Sequence, residues 1–251
     1  KDYIEDKLKT VKFMLSCHKH YRSGIDYELI LVDNGSPNDE TKEYLKNLKK
    51  CGTIVLEREN KGFSFGAYDY VWKKYGDKYD YYLFHEQDVV PSKDNWLTEI
   101  VTAFLSERKI GAVGNVLESR GYGHPLSDVI MKSIATLEGR EFMYNLDGAF
   151  TFTSSSVLKQ VDGVGGLVIS PCDGTDDIGS VINETGFQQP ILELGYSIAS
   201  FDTPERYCSH GIMHAEYEGE DIVPGELGPM IHCHVRDNIK WFKKYFDWYN
   251  G

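Results

Sequence analysis

The chain has 251 residues and a formal net charge of -12, with 41% hydrophobic and 26% charged residues. That composition belongs to a globular protein large enough for one big domain or two intimate halves. The acidic balance argues against nucleic acid as a partner, which needs clustered Lys and Arg. A phosphorylated ligand would need a metal ion or backbone amides to offset repulsion.

Residues 1–23 contain neither Gly nor Pro, and Ile4, Leu8, Val11 and Leu15 recur at helical spacing. This predicts an amphipathic helix ended by Gly24, with Val11–Cys17 as a strand the alternative. Tyr27–Asp33 is almost continuously apolar, as in a strand covered on both faces. Asn34-Gly-Ser-Pro-Asn is turn chemistry, and Asp39 is the predicted N-cap of a helix through Lys50. Thr53–Glu57 reads as another strand. The loop Asn60-Lys-Gly-Phe-Ser-Phe-Gly-Ala then opens a helix over about Ala67–Tyr75, whose first amides can face an anion. Tyr81–Phe84 is a short buried strand that runs into Glu86, Gln87 and Asp88, and Pro91 is expected to stop any ladder. A helix over about Asn95–Glu107 and a strand over Ile110–Val116 follow.

Residues 118–147 are less regular, with a helix placed at about 128–137. Asp147–Ser154 alternates like a strand, and Ser155–Val161 reads as a short helix. Gly163–Gly174 is glycine-rich and expected to face a ligand. It leads into an acidic cluster of Asp173, Asp176, Asp177 and Glu184. A helix over Phe187–Leu194 is closed by Gly195, and Tyr196–Phe201 is a strand. The last segment carries His210, His214, His232 and His234, then an aromatic and Lys-rich amphipathic helix from Trp241 to Tyr249. Strands alternating with helices at this spacing predict an α/β fold with a mostly parallel sheet flanked by helices.

Five cysteines, at 17, 51, 172, 208 and 233, contain no CxxC pair and are odd in number. A reduced, cytoplasmic setting is the simpler expectation. No apolar run is long enough for a bilayer, and no signal peptide opens the sequence. Asn34-Gly-Ser and Asn183-Glu-Thr match the glycosylation sequon and are read as chance.

Three segments carry a resemblance. Glu28-Leu-Ile-Leu-Val-Asp-Asn-Gly-Ser36, Glu59-Asn-Lys-Gly-Phe-Ser-Phe-Gly-Ala67 and the strand ending Glu86-Gln-Asp88, in that order, resemble the nucleotide-sugar half of family 2 glycosyltransferases of the GT-A fold. The first matches that family's strand and Val-Asp-Asn-Gly-Ser turn, the second its Asn-x-Gly loop. The third fills the slot of its Asp-x-Asp motif, before a helix starting Asn95-Trp-Leu. The resemblance is good over 25–105 and looser over 106–235. Two departures stand out: Glu86 replaces the first Asp, and the family's opening strand is absent if residues 1–23 are its first helix.

The resemblance implies a metal-assisted, inverting transfer of sugar from a nucleotide-diphosphate donor, a UDP-sugar being favoured, to a glycan or lipid-linked glycan acceptor. Asp33 would bind the nucleobase. Asn34, Asn60, Gly62, Glu86 and Gln87 would line the donor site, with Glu86 or Gln87 near the ribose. Asp88 would hold Mn²⁺ or Mg²⁺ with a histidine from the C-terminal part, His210 and His234 being put forward. Counting back from Gly195-Tyr196 puts the general base at Glu184, with Asp176 and Asp177 as competitors. The halves would be 1–105 for the donor and 106–235 for the acceptor. The helix at 236–251 would either pack on the core or lie peripherally on the inner face of a membrane. Two other readings are weighed: a non-catalytic nucleotide-sugar or glycan-binding module, and a sugar nucleotidyltransferase, whose glycine-rich basic loop is absent.

Overall fold

The computed structural model describes residues 2–118, 144–168, 182–183, 186–200, 228–232 and 248–249. The first element is α1 (Asp2–His20), so Val11–Cys17 is helical and the strand alternative falls. Strand β1 (Ile30–Asp33) pairs in parallel with β2 (Ile54–Glu57), Asp33 opposite Glu57. Between them lies α2 (Asp39–Lys50). Its N-cap is Asn38 rather than Asp39, because the Asn38 side chain accepts the Glu40 amide while Asp39 and Glu40 add negative charge to the first turn.

Helix α3 (Phe63–Tyr75) begins four residues earlier than Ala67. Gly62 supplies a left-handed turn at φ +76°, and the Gly66 amide already bonds the Gly62 carbonyl at 2.7 Å, so the glycine-bearing loop is itself the first helical turn. A side chain at Gly66 would meet the Lys61 carbonyl at 2.0 Å, which is why the turn closes only around glycine.

Strand β3 (Tyr81–His85) is the edge of a four-stranded sheet of order β3-β6-β5-β7, with β5 (Ile110–Glu118), β6 (Tyr144–Ser154) and β7 (Ser197–Ser200). Strand β6 runs antiparallel to β3 and β5, while β5 and β7 are parallel. The sheet is therefore mixed. Among the described residues β1 and β3 are not bonded to each other. Pro91 does not stop the ladder: β4 (Val89–Pro91) pairs antiparallel with β8 (Met230–His232), Pro91 opposite Met230. A proline at the last position of a two-stranded edge costs little, since the next amide, of Ser92, still reaches the Pro229 carbonyl.

Alternation along β3 divides the core. Tyr82 and Phe84 face α3 and α5 (Ser155–Gly163), packing on Phe65, Tyr68, Trp72, Leu158 and Val161. On the other face Phe150 and Phe152 pack on Trp96, Ile100 and Phe104 of α4 (Trp96–Leu105). Helix α6 (Gln189–Glu193) ends before Gly195, left-handed at φ +83°. Just ahead of it, buried Gln188 accepts the Leu146 amide at 2.8 Å and donates to the Leu146 carbonyl at 3.2 Å. Those bonds support β6 where its register against β5 shifts between Gly114 and Val116.

A third apolar cluster joins Phe13, Met14 and Cys17 of α1 to Val90, Trp248 and Tyr249. Trp248 stacks on His20 with ring centroids 3.9 Å apart, and Tyr249 meets Phe13 edge-on at 5.0 Å. Two rings from the predicted C-terminal aromatic stripe therefore pack on α1. The remainder of that helix, and the helix placed at 128–137, lie outside the described residues. No described helix is long and apolar enough to cross a membrane.

Candidate active site

Because β1 and β2 are parallel and in register, Asp33 and the residue after Glu57, Arg58, leave the sheet at one edge. The Arg58 amide donates to the Asp33 carbonyl at 3.0 Å. The Asp33 carboxylate accepts the Ser36 amide at 2.8 Å, folding Asn34-Gly-Ser into a tight turn with Gly35 at φ +79°.

Asn34 sits at the centre of a lock between two loops. Its amide donates to the Asn60 side chain at 2.8 Å and to the Phe63 carbonyl at 3.0 Å, and its oxygen accepts from the Arg58 guanidinium. A second Arg58 nitrogen donates to the Lys61 carbonyl at 2.8 Å. Both amide protons of Asn34 are thus engaged within the protein, so Asn34 orders the two loops and is not placed to donate to a ligand. Burial lowers the Arg58 pKa from its ordinary value, with the neighbouring Tyr70 and Asp69 acting in the opposite sense.

Arg58 was missed in the sequence, although a lone arginine at a strand end in so acidic a chain was a usable signal. Both sequon asparagines prove poor acceptors. Asn34 is tied into this lock, and Asn183 is fully buried.

At the end of β3 the backbone of Glu86 is held from both sides. Its amide donates to the Ala149 carbonyl at 2.9 Å, and its carbonyl accepts the Val89 amide at 3.2 Å. The His85 Nδ1 lies 2.8 Å from that same carbonyl. The Glu86 carboxylate accepts from the Ser64 hydroxyl in the first turn of α3. Gln87 and Asp88 follow in the turn before β4, both partly buried. Asp33, Asn60, Gly62, Glu86, Gln87 and Asp88 therefore lie on the loops that leave β1, β2 and β3.

Behind this edge two imidazoles stack. His18 of α1 lies 5.3 Å from His85 between ring centroids, meets Trp96 edge-on at 5.3 Å, and shares a 2.9 Å hydrogen bond with the Tyr27 hydroxyl. Burial, reinforced by His85, pushes the His18 pKa down to about 3. The His85 pKa is lowered too, chiefly by burial, against the opposing pull of the Glu86 and Val89 backbone and of Asp88.

A depressed imidazole pKa means that the folded state resists a proton the unfolded chain accepts. The contribution of His18 is therefore intact above the unfolded value near 6.5 and is lost as pH falls from there toward 3. Urea unfolding across that window should show stability falling by up to about 1.4 kcal/mol per pH unit from this group. His18→Phe, which keeps a ring in the stack, should flatten the slope. An unchanged slope would rule His18 out as its source.

The segment expected to hold the general base is described in part. The Asn183 carbonyl accepts the Phe187 amide at 3.1 Å, and Phe187 packs 5.0 Å from Phe65 of α3. The chain just before α6 is thereby fixed against the helix that carries the Asn-x-Gly loop. Glu184, Asp176, Asp177, His210, His214 and His234 lie outside the described residues. His232 pairs with Val89, and β8 runs toward Asp88.

Among the described residues no three His, Cys, Asp or Glu side chains gather into a metal site. Among the described residues Glu86 and Asp88 are the hard oxygen donors at the end of β3, and the Glu86 carboxylate is engaged by Ser64. One or two carboxylates, with the phosphates and water supplying the rest, suffice for Mg²⁺ or Mn²⁺ at a nucleotide, so the residues present fit such an ion. A shallow cleft of about 560 Å³ lies elsewhere, lined among others by His18, Arg22, Ile25 and Asn95. Several of its polar groups are engaged: Arg22 pairs with Asp94 at 2.7 Å, and the Ser23 carbonyl accepts the Leu97 and Thr98 amides.

No curated protein matches the chain. Among solved structures it is similar to the mannosyltransferase PcManGT from Pyrobaculum calidifontis, solved in complex with GDP-Man and Mn²⁺. The identity is 16% and the TM-score 0.47, over 76% of this chain and 50% of that one. The chain therefore spans half the length of that structure. Residues 5–159 match the sequence model of glycosyl transferase family 2, a stretch that takes in the Asp33 turn, the Asn60 loop and the Glu86–Asp88 strand end. The chain belongs to glycosyl transferase family 2.

Proposed function

We propose that the protein transfers a sugar, with inversion at the anomeric carbon, from a nucleotide-diphosphate donor to a glycan or lipid-linked glycan acceptor, assisted by Mn²⁺ or Mg²⁺. The observation that carries this reading is a chain of contacts: Arg58, Asn34 and Asn60 stitch the loops after β1 and β2, and Glu86 at the end of β3 reaches Ser64 in the helix those loops open. Open α/β sheets place ligands outside the carboxyl ends of their strands. In this reading Asp33 recognises the nucleobase. Asn60, Gly62 and Gln87 line the donor, and Asn34 keeps their loops in place.

Asp88 would hold the divalent ion, whose charge offsets the leaving diphosphate. A histidine, His210 or His234, completes the site; the backbone pairing of His232 with Val89, next to Asp88, supports His234 of the two. Glu184, or else Asp177 or Asp176, removes the proton of the acceptor hydroxyl. Residues 1–105 form the donor half and 106–235 the acceptor half of one domain. A UDP-sugar is the favoured donor and the cytoplasm the favoured location, with the membrane's inner face as the site of a lipid-linked acceptor.

Thermal-shift titration with UDP-, GDP- and dTDP-sugars, with and without Mn²⁺, tests the reading. One of them should raise Tm by several degrees with Mn²⁺ present, since about 2.7 kcal/mol accrues at a hundredfold excess over Kd. No shift with any donor would overturn it. A shift without sugar transfer to any acceptor would favour the binding-module alternative, which Glu86 in place of the family's Asp already suggests.

A further inference from the structure

Glu86 is the one motif residue that departs from the family pattern, and its surroundings give it a task. Its backbone is held by Ala149, Val89 and His85, so the direction of its side chain is set by β3 and β6 rather than by a ligand. The carboxylate reaches across to the Ser64 hydroxyl. Ser64 is the second residue of α3, a helix whose N-cap, Gly62, makes no side-chain capping bond and whose first turn holds no acidic residue. A carboxylate near that turn complements the positive end of the helix, a function that Asp, Glu or a capping side chain within the helix usually serves.

We propose that Glu86 is a positioning residue: a cross-brace that ties the end of β3 to the start of α3 through Ser64, and so fixes the Asn-x-Gly loop relative to Asp88. The extra methylene of Glu over Asp is what spans the gap. The brace also puts a protein carboxylate at the helix start where a glycine loop would otherwise offer amides to phosphate. The duty of offsetting the diphosphate then falls on the ion at Asp88. The inference rests on the donor reading above only for its functional readout.

Brace and ligand predict opposite tolerances. As a brace, Glu86 needs reach and an acceptor oxygen. Glu86→Gln should keep donor affinity within about fivefold, losing only the charge term at the helix end. Glu86→Asp, Glu86→Ala and Ser64→Ala should each weaken it about tenfold or more, the scale of a lost hydrogen bond to a charged group. The Mn²⁺ concentration for half-effect should stay unchanged throughout. As a ligand for metal or ribose, Glu86 would tolerate Asp, the family residue, and fail as Gln, and Ser64→Ala would be silent; that pattern overturns the proposal.

A double-mutant cycle of Ser64→Ala with Glu86→Ala, read by urea unfolding of the unliganded protein, needs no donor at all. The double variant should be no less stable than the worse single one. Fully additive losses would overturn the brace even if the nucleotide reading holds, and coupling would uphold it even if no nucleotide binds.

Discussion

Asp88→Ala should remove the Mn²⁺-dependent part of nucleotide-sugar stabilisation and lower transfer about a thousandfold. The size follows from charge. The chain carries a net charge of -12, and the Glu86 carboxylate stands at the start of α3. A diphosphate bound at this edge would meet the Glu86 carboxylate as well as the Arg58 guanidinium. An ion held at Asp88, as proposed, would supply several kcal/mol of transition-state stabilisation, and each 1.36 kcal/mol is a factor of ten, so about 4 kcal/mol gives three decades. Asp88→Asn separates charge from shape: it should bind donor without metal but fail to respond to added Mn²⁺. If either variant keeps a wild-type Mn²⁺ response, the metal lies elsewhere.

Glu184→Gln should leave donor binding intact while transfer falls by about two to four orders of magnitude, the range for a lost general base. The placement of its neighbour supports this choice. Asn183 is fully buried, its carbonyl bonded to the Phe187 amide, and Phe187 packs on Phe65. The residue before Glu184 is thus a fixed point against α3. A pH–rate profile supplies a second readout, since the acidic limb of kcat should vanish with the base. Full activity in Glu184→Gln would move the role to Asp177 or Asp176.

The fold and the family were legible because their signals are local. A strand ending in Val-Asp-Asn-Gly-Ser, an Asn-x-Gly loop and carboxylates at the next strand end each fit within nine residues, and their order gave both the α/β fold and the family. What escaped the sequence depends on partners far along the chain. Arg58 matters through Asn34, Ser64 through Glu86, and His18 through His85, and no periodicity links such pairs. The early start of α3 was hidden for a different reason. Glycine at 62 and 66 reads as a loop until the left-handed turn and the close approach of the Lys61 carbonyl show that it closes a helix. Pro91 misled in the same way, since an edge position in a two-stranded ladder removes the usual objection to proline.

The packing of Trp248 and Tyr249 on α1 bears on how the protein is made. Phe13 and Trp248 are far apart in sequence, so this is among the least local of the described contacts. In synthesis α1 leaves the ribosome well before Trp248 and Tyr249 do, while the strands and helices around β3 meet their neighbours sooner. Joining the two segments is therefore a step of high contact order, slow by the entropy of loop closure. Until it occurs, the side of α1 that Trp248 and Tyr249 cover is apolar surface on which a chaperone can act.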